Sequence, residues 1–127
     1  MQINNYHNKN IILVDDDESI LTLIETILHK EGFTNITKAR SGETAISLAK
    51  EKKPDLIILD IMLPDFDGFE ICKKIRTNSM VPIIFLSAKS EESDKLISYA
   101  LGGDEYITKP FEIADVVEKV DKYLKKD

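Results

Sequence analysis

A doubly wound α/β fold, built on a five-stranded parallel sheet, is predicted by three observations. Short β-like runs alternate five times with segments of helical spacing. Three of those runs are unbroken apolar stretches, as strands covered on both faces must be. Polar residues capable of chemistry follow the runs rather than interrupting them. Repeated strand–helix alternation imposes right-handed crossovers and therefore helices on both faces of the sheet. The 127 residues make one ordinary domain, long enough to bury a core without staples.

The elements follow in order. Residues 1–9 are polar and Asn-rich and read as a flexible leader to a single domain over 10–127. Residues 11–14 are the first strand. Ile20, Leu23, Ile24, Ile27 and Leu28 form one helical stripe after it, and Gly32 is a natural stop. Residues 35–39 mix polar and apolar side chains and suit a sheet edge. Ala45, Ile46, Leu48 and Ala49 mark a second helix that ends before Pro54. Residues 56–59 and 83–86 are unbroken central strands, separated by a helix carrying Phe69, Cys72 and Ile75. Leu96, Ile97, Ala100 and Leu101 mark the fourth helix. Residues 105–108 form the other edge strand, and Val116, Val117, Val120, Tyr123 and Leu124 line the fifth helix. The first, third and fourth strands are thus central, the second and fifth outside.

Composition removes several classes of function. Seventeen basic against 23 acidic residues leave a net charge of −6, which argues against unaided binding to nucleic acid. The single cysteine excludes an internal disulfide and fits a reducing, cytosolic compartment. The longest apolar run, residues 81–88, is too short to cross a bilayer and contains Pro82, so no membrane role is expected. Cys72 reads as a core thiol, and no His/Cys set points to zinc.

The chemistry gathers at one edge. Asp15, Asp16 and Asp17 follow the first strand, Asp60 the third, Ser87 the fourth and Lys109 the fifth. Open α/β sheets bind ligands at these carboxyl ends, and neighbouring strands lie about 4.8 Å apart. Converging carboxylates repel, by roughly 4 kcal/mol for a pair 4 Å apart at an effective dielectric of 20. Protonation, a cation or Lys109 must offset that. Carboxylates with backbone carbonyls are hard oxygen donors suited to Mg²⁺. Each residue also has a plainer reading. One of the three aspartates is expected to cap the following helix, Ser87 alone could satisfy a loop amide, and Asp65, Asp67 and Gly68 read as turn and helix-start residues.

Four blocks in order, Leu13-Val14-Asp15-Asp16-Asp17-Glu18, Leu59-Asp60-Ile61-Met62-Leu63-Pro64-Asp65-Phe66-Asp67-Gly68, Leu86-Ser87-Ala88 and Tyr106-Ile107-Thr108-Lys109-Pro110-Phe111, resemble the receiver domain of bacterial two-component response regulators. The likeness runs from about Lys9 to Lys125. It implies a flavodoxin-like sheet of order 2-1-3-4-5. It implies that Asp60 accepts a phosphoryl group from a sensor histidine kinase as a carboxylate nucleophile. It also implies that Asp15, Asp16, Asp60 and the backbone carbonyl of Met62 hold Mg²⁺ or Mn²⁺, and that Lys109 pairs with the phosphoryl oxygens. Ser87 stands where relatives place a hydroxyl that moves toward the phosphate, Tyr106 stands at the aromatic switch position, and the Lys109–Pro110 bond is cis in relatives. Met62 and Lys89 occupy the two positions that tune hydrolysis. An apolar Met62 cannot orient water, so a long-lived phosphoprotein is expected.

The stretch from Leu101 to Phe111 resembles the winged-helix transcription factors of this family most. The resemblance implies phosphorylation-driven homodimerisation through the fourth helix, fifth strand and fifth helix, with Lys95 facing Asp115 and Glu105 facing Lys119. A third pair is missing, since Ala100 and Asp121 stand where an acid and a base are usual. DNA would then be contacted only by an output domain beyond this chain; the alternative is a stand-alone regulator acting through protein contacts. No turnover enzyme is expected. An aspartate-nucleophile phosphatase needs an acid two residues past the nucleophile, where this chain has Met62. A flavodoxin-type carrier needs a phosphate-cradling loop where this chain has carboxylates. A pure interaction module would not need the full set of Asp15, Asp16, Asp60, Ser87 and Lys109.

Overall fold

The computed structural model describes residues 5–88 and 92–125. Within them lie strands β1 (Ile11–Val14), β2 (Ile36–Ala39), β3 (Leu56–Asp60), β4 (Ile83–Ser87) and β5 (Glu105–Thr108), alternating with helices α1 (Glu18–Lys30), α2 (Gly42–Lys52), α3 (Gly68–Arg76), α4 (Glu92–Ala100) and α5 (Ile113–Leu124). All strand pairs are parallel and the sheet order is β2-β1-β3-β4-β5.

Each face of the sheet carries its own core. Ile11, Leu13, Leu56, Ile58, Ile84 and Leu86 point to one side and pack on Leu21, Ile24 and Leu28 of α1 and Val116, Val120 and Leu124 of α5. The alternate residues Ile12, Val14, Ile57, Leu59, Ile83 and Phe85 point to the other side and pack on Ala45 of α2 and Ile71, Cys72 and Ile75 of α3. Burial on both faces explains why β1, β3 and β4 are unbroken apolar runs. Polar chemistry is confined to their ends for the same reason. Asp60 and Ser87 do not follow the third and fourth strands, as their positions suggest, but are the last paired residues within them, Asp60 opposite Leu86 and Ser87 opposite Thr108.

Three details differ from the sequence reading. In α1 the buried stripe includes Leu21, while Leu23 is exposed. In α4 the apolar residues face outward: Leu96 is 65% exposed and Ile97 and Tyr99 are also exposed, whereas Ser98 is fully buried, its hydroxyl donating to the Lys95 carbonyl at 2.6 Å. Within the expected flexible leader, residues 5–8 form a 3₁₀ turn. There the His7 ring meets Phe33 edge-on at 5.3 Å and the Asn8 carbonyl accepts from Asn35 at 2.7 Å. No described helix is long and apolar enough to cross a membrane.

Loop chemistry then sets the site's walls. Asp67 caps α3, accepting from the Glu70 N–H at 2.9 Å. Asp65 reaches across to α2 and accepts from the Gly42 and Glu43 N–H groups at 2.8 and 3.0 Å. One loop therefore fixes two helix starts, satisfying otherwise unpaired amides. Arg76, at the far end of α3, ties down the α4–β5 loop by donating to the Gly102 carbonyl and to Asp104 at 3.1 Å. Gly68 presses α3 directly on the end of β3: a Cβ there would lie 2.6 Å from the Ile61 Cα and 2.8 Å from the Asp60 carbonyl oxygen. Both neighbours are backbone and cannot rotate away. Gly68→Ala is therefore expected to destabilise the protein by about 1–3 kcal/mol despite alanine's better helix propensity. Urea unfolding measures this, and unchanged stability would show that α3 can lift from the strand at no cost.

Candidate functional site

β1 and β3 are neighbours with Val14 opposite Leu59, so Asp15 and Asp60 leave the sheet side by side. Both are buried, at 2% and 4% exposure, whereas Asp16 is exposed. One carboxylate oxygen from each of the three lies within 4.8 Å of the others. The three aspartates in a row divide their work. Asp15 Oδ1 accepts from the Asp17 N–H at 2.9 Å, bending the chain back on itself. Asp17 is the α1 cap, accepting from the Ser19 N–H and hydroxyl, each at 2.9 Å. Asp16 is left facing outward, on the wall of a depression also lined by Met62, Pro64 and Phe69.

Lys109, directly after β5, closes the cluster. Its ammonium donates to Asp15 Oδ2 at 2.8 Å and to Asp60 Oδ2 at 3.3 Å. Its backbone N–H donates to the Ser87 carbonyl at 2.7 Å, and the Lys109–Pro110 bond is cis. The Met62 N–H donates to Asp60 Oδ1 at 3.1 Å, while the Met62 side chain is exposed. Burial pushes the Asp60 carboxyl up to about 6, helped by the neighbouring Asp15 charge and opposed by the Met62 N–H and Lys109. Burial works against the Lys109 charge, but the carboxylates outweigh it and hold the ammonium above its ordinary range.

Three carboxylates against one ammonium leave a formal surplus of two negative charges in a largely buried pocket. That surplus and the all-oxygen donor set fit a hard divalent cation such as Mg²⁺, bound through carboxylates. Burial is the main reason the Asp60 carboxyl is raised, and the Asp15 charge adds to it.

Ser87 is fully buried one position past Leu86, the cross-strand partner of Asp60. Tyr106 sits opposite Phe85 and is already buried, at 7% exposure, within the core under α2 and α3. Lys89 lies outside the described residues. On the other candidate face, Lys119 donates to Asp115 at 3.0 Å within α5. Glu105 is held by Lys122 and by the Tyr123 hydroxyl at 2.8 Å. Lys122 and Tyr123 were not among the candidates, although the i,i+4 spacing of Asp115 and Lys119 signals the first pair. Lys95 is part-buried on α4.

Residues 11–121 match the family described as the response regulator receiver domain. The chain is 48% identical over 120 residues to the alkaline phosphatase synthesis transcriptional regulatory protein PhoP of Bacillus subtilis, covering 94% of this chain and 50% of that protein. It is 44% identical over 119 residues to the transcriptional regulatory protein YvrH of the same organism, with the same coverage. It therefore spans about half the length of these curated relatives. The solved structure of a two-component response regulator from Clostridium difficile superposes with a TM-score of 0.89 at 32% identity, covering 94% of this chain and 98% of that one.

The raised Asp60 carboxyl has a consequence for stability. A carboxyl whose folded pKa exceeds its unfolded value of 3.8 favours the fold only while protonated. That contribution is complete below 3.8 and lost as the pH climbs through about 6. Asp60→Asn should therefore be more stable than the unsubstituted protein at neutral pH in EDTA, by about 1–2 kcal/mol once the lost Lys109 contact is discounted. The gap should close as the pH falls toward 4, and urea titrations at a series of pH values read it directly.

Proposed function

Because the chain belongs to the response regulator receiver family, we propose that it is the phosphoacceptor domain of a two-component system, taking a phosphoryl group from a sensor histidine kinase onto Asp60. The observation that carries this reading is the convergence of Asp15, Asp16 and Asp60 within 4.8 Å, with Lys109 bonded to two of them. An Asp60 oxygen attacks phosphorus, and the bond to the donor's histidine nitrogen breaks, its electron pair leaving with that nitrogen. With an upper-range carboxyl near 6, Asp60 is mostly ionised at neutral pH and able to attack. Asp15, Asp16, Asp60 and the Met62 backbone carbonyl would hold Mg²⁺ (or Mn²⁺), which when bound would supply charge neutralisation for the crowded carboxylates and the arriving phosphoryl oxygens.

The chain's own groups do the rest. Lys109, anchored between Asp15 and Asp60, is within reach of any group placed on Asp60 and moves from carboxylate to phosphoryl oxygen with little displacement. The Ser87 hydroxyl, at the end of the neighbouring strand, supplies a second donor. Tyr106, two residues before Ser87's cross-strand partner Thr108, stands on β5 at the position that the resemblance gives to the switch. We read the domain as an acceptor and not a turnover enzyme.

The output is proposed to be transcriptional, in line with the names of the two Bacillus subtilis relatives. Phosphorylation would favour a homodimer through α4, β5 and α5, with Lys95, Glu105, Asp115 and Lys119 at the contact. In the single chain Asp115 holds Lys119, and Lys122 and Tyr123 hold Glu105. Dimerisation thus exchanges partners at this face instead of pairing free charges, which limits the net gain per pair to about 0–1 kcal/mol. This domain itself makes no DNA contact in this reading.

Incubation with acetyl phosphate and Mg²⁺ should add one phosphoryl group by intact mass and shift gel-filtration elution toward a dimer. EDTA should abolish labelling, and Lys109→Gln should slow it by about a hundredfold. Labelling of Asp60→Asn at the rate of the unsubstituted protein would falsify the assignment. The exposed Met62 thioether cannot orient an attacking water, so the phosphoprotein should last minutes rather than seconds after donor removal. Met62→Asn should shorten that lifetime.

A further inference from the structure

At the amino ends of β3 and β4, remote from Asp60, the last turns of α2 and α3 enclose a half-open trough of about 450 Å³. Its floor is apolar, made by Ile46 of α2, Ile75 of α3 and Pro54 before β3, and its rim carries Lys50, Lys53 and Lys74. Among the described residues, no acidic side chain lines it. Among the described residues, none of these three lysines pairs with a carboxylate. A second depression of about 340 Å³ shares Ile46, Lys50 and Lys74 and continues past Thr77, so the trough is elongated across both helix ends.

Lysines are common at helix C-termini, where each macrodipole presents about half a negative charge. Two such ends call for about one compensating cation, and three line this trough. They do so on a chain of net charge −6, which makes the trough a local reversal of sign. Lys53 is also costly where it stands. It caps α2 with a φ of +46°, in the left-handed region where glycine ends a helix at lower cost. The chain keeps a cation at the rim in spite of that. Met80, next to the lining Ser79, is 85% exposed and extends the apolar character of this end.

We infer that the trough is a docking surface for an acidic amphipathic segment of a partner protein. Apolar side chains of that segment seat between Ile46 and Ile75, and its carboxylates pair with Lys50, Lys53 and Lys74. The elongation and half-open shape suit a segment better than a compact small molecule. The apolar floor is wasted on a phosphate backbone, which is bound through cations and polar donors.

The test is an amide chemical-shift titration of the isotope-labelled chain with a short synthetic peptide rich in Glu, Leu and Phe. A version with Gln in place of Glu and the small amphiphile decanoate serve as comparisons. Saturable shifts are expected in the last turns of α2 and α3 and in the turns before β3 and β4, weakening as salt is added. The double variant Lys50→Glu/Lys74→Glu should bind about tenfold more weakly or worse, with Lys50→Gln/Lys74→Gln in between. All variants should keep dispersed spectra and unchanged acetyl phosphate labelling, since none of these residues lies near Asp60. Shifts confined to another face, equal binding of the Gln peptide, or decanoate filling the trough while the Glu peptide does not, would each overturn the proposal.

Discussion

The repulsion between Asp15 and Asp60 is the constraint around which the rest of the molecule is arranged. Two carboxylates at the ends of adjacent buried strands cannot both be charged without a cation between them, since the Coulomb cost of such a pair is of the order of several kcal/mol. Lys109 fills that role in the resting chain, at 2.8 and 3.3 Å. The sheet dictates that the three residues meet. Strands covered on both faces have no room for charge along their length, so charged groups sit where β1, β3 and β5 run out. The pocket still carries more carboxylates than cations, and burial first, then the Asp15 charge, pushes the Asp60 carboxyl up to about 6. An under-neutralised cluster of oxygen donors is both a cation site and, once a cation is present, a place where an incoming dianionic group is welcome.

The same lysine links the pocket to the far face. Lys109 lies directly after β5, and its N–H is bonded to the Ser87 carbonyl. β5 is also the strand that carries Glu105 and Tyr106. A change of partner at the Lys109 ammonium thus acts on a short segment that includes the buried tyrosine and the carboxylate held by Lys122 and Tyr123. Tyr106 is buried in the unphosphorylated chain, so on the proposed reading a switch at this ring would start from the inward position. On the proposed reading, phosphorylation would act on this face through the charge pairing of Glu105, Asp115 and Lys119 and the seating of α4, whose Leu96, Ile97 and Tyr99 are in solvent. A helix that buries a serine and exposes its aliphatic residues is lightly anchored.

How far these features can be read from sequence depends on how local their causes are. The three central strands are legible because two-sided burial leaves a one-dimensional trace, an apolar run ended by Asp or Ser. The edges are legible for the converse reason. Helix α4 misleads because periodicity reports that an apolar stripe exists, not that it faces inward. Leu96 and Ser98 show the inversion. The long-range ties leave no trace at all. Nothing near Asp65 in sequence indicates that it caps a helix beginning at Gly42, and nothing near Arg76 points to Asp104. The Asp15–Asp17 triplet is intermediate. Its composition announces a cap and a ligand, but only the bond from the Asp17 N–H to Asp15 decides which residue is which.

Net charge misleads in the same way as periodicity, by averaging over what geometry separates. A surplus of six acidic charges excludes an anionic partner only if the charge is spread evenly, and in this molecule it is not. The carboxyl ends of the central strands collect Asp15, Asp16 and Asp60, while the amino ends of β3 and β4 are flanked by Lys50, Lys53 and Lys74. The helices connecting the two ends reinforce the separation. Asp65 and Asp67 sit at the starts of α2 and α3, and lysines at their finishes, as the macrodipole favours. A layered α/β domain whose helices run antiparallel to its strands favours acids at the helix starts of one edge and bases at the helix finishes of the other. Such a domain can offer a cation pocket and an anion-seeking surface at once, with a single negative number as its composition.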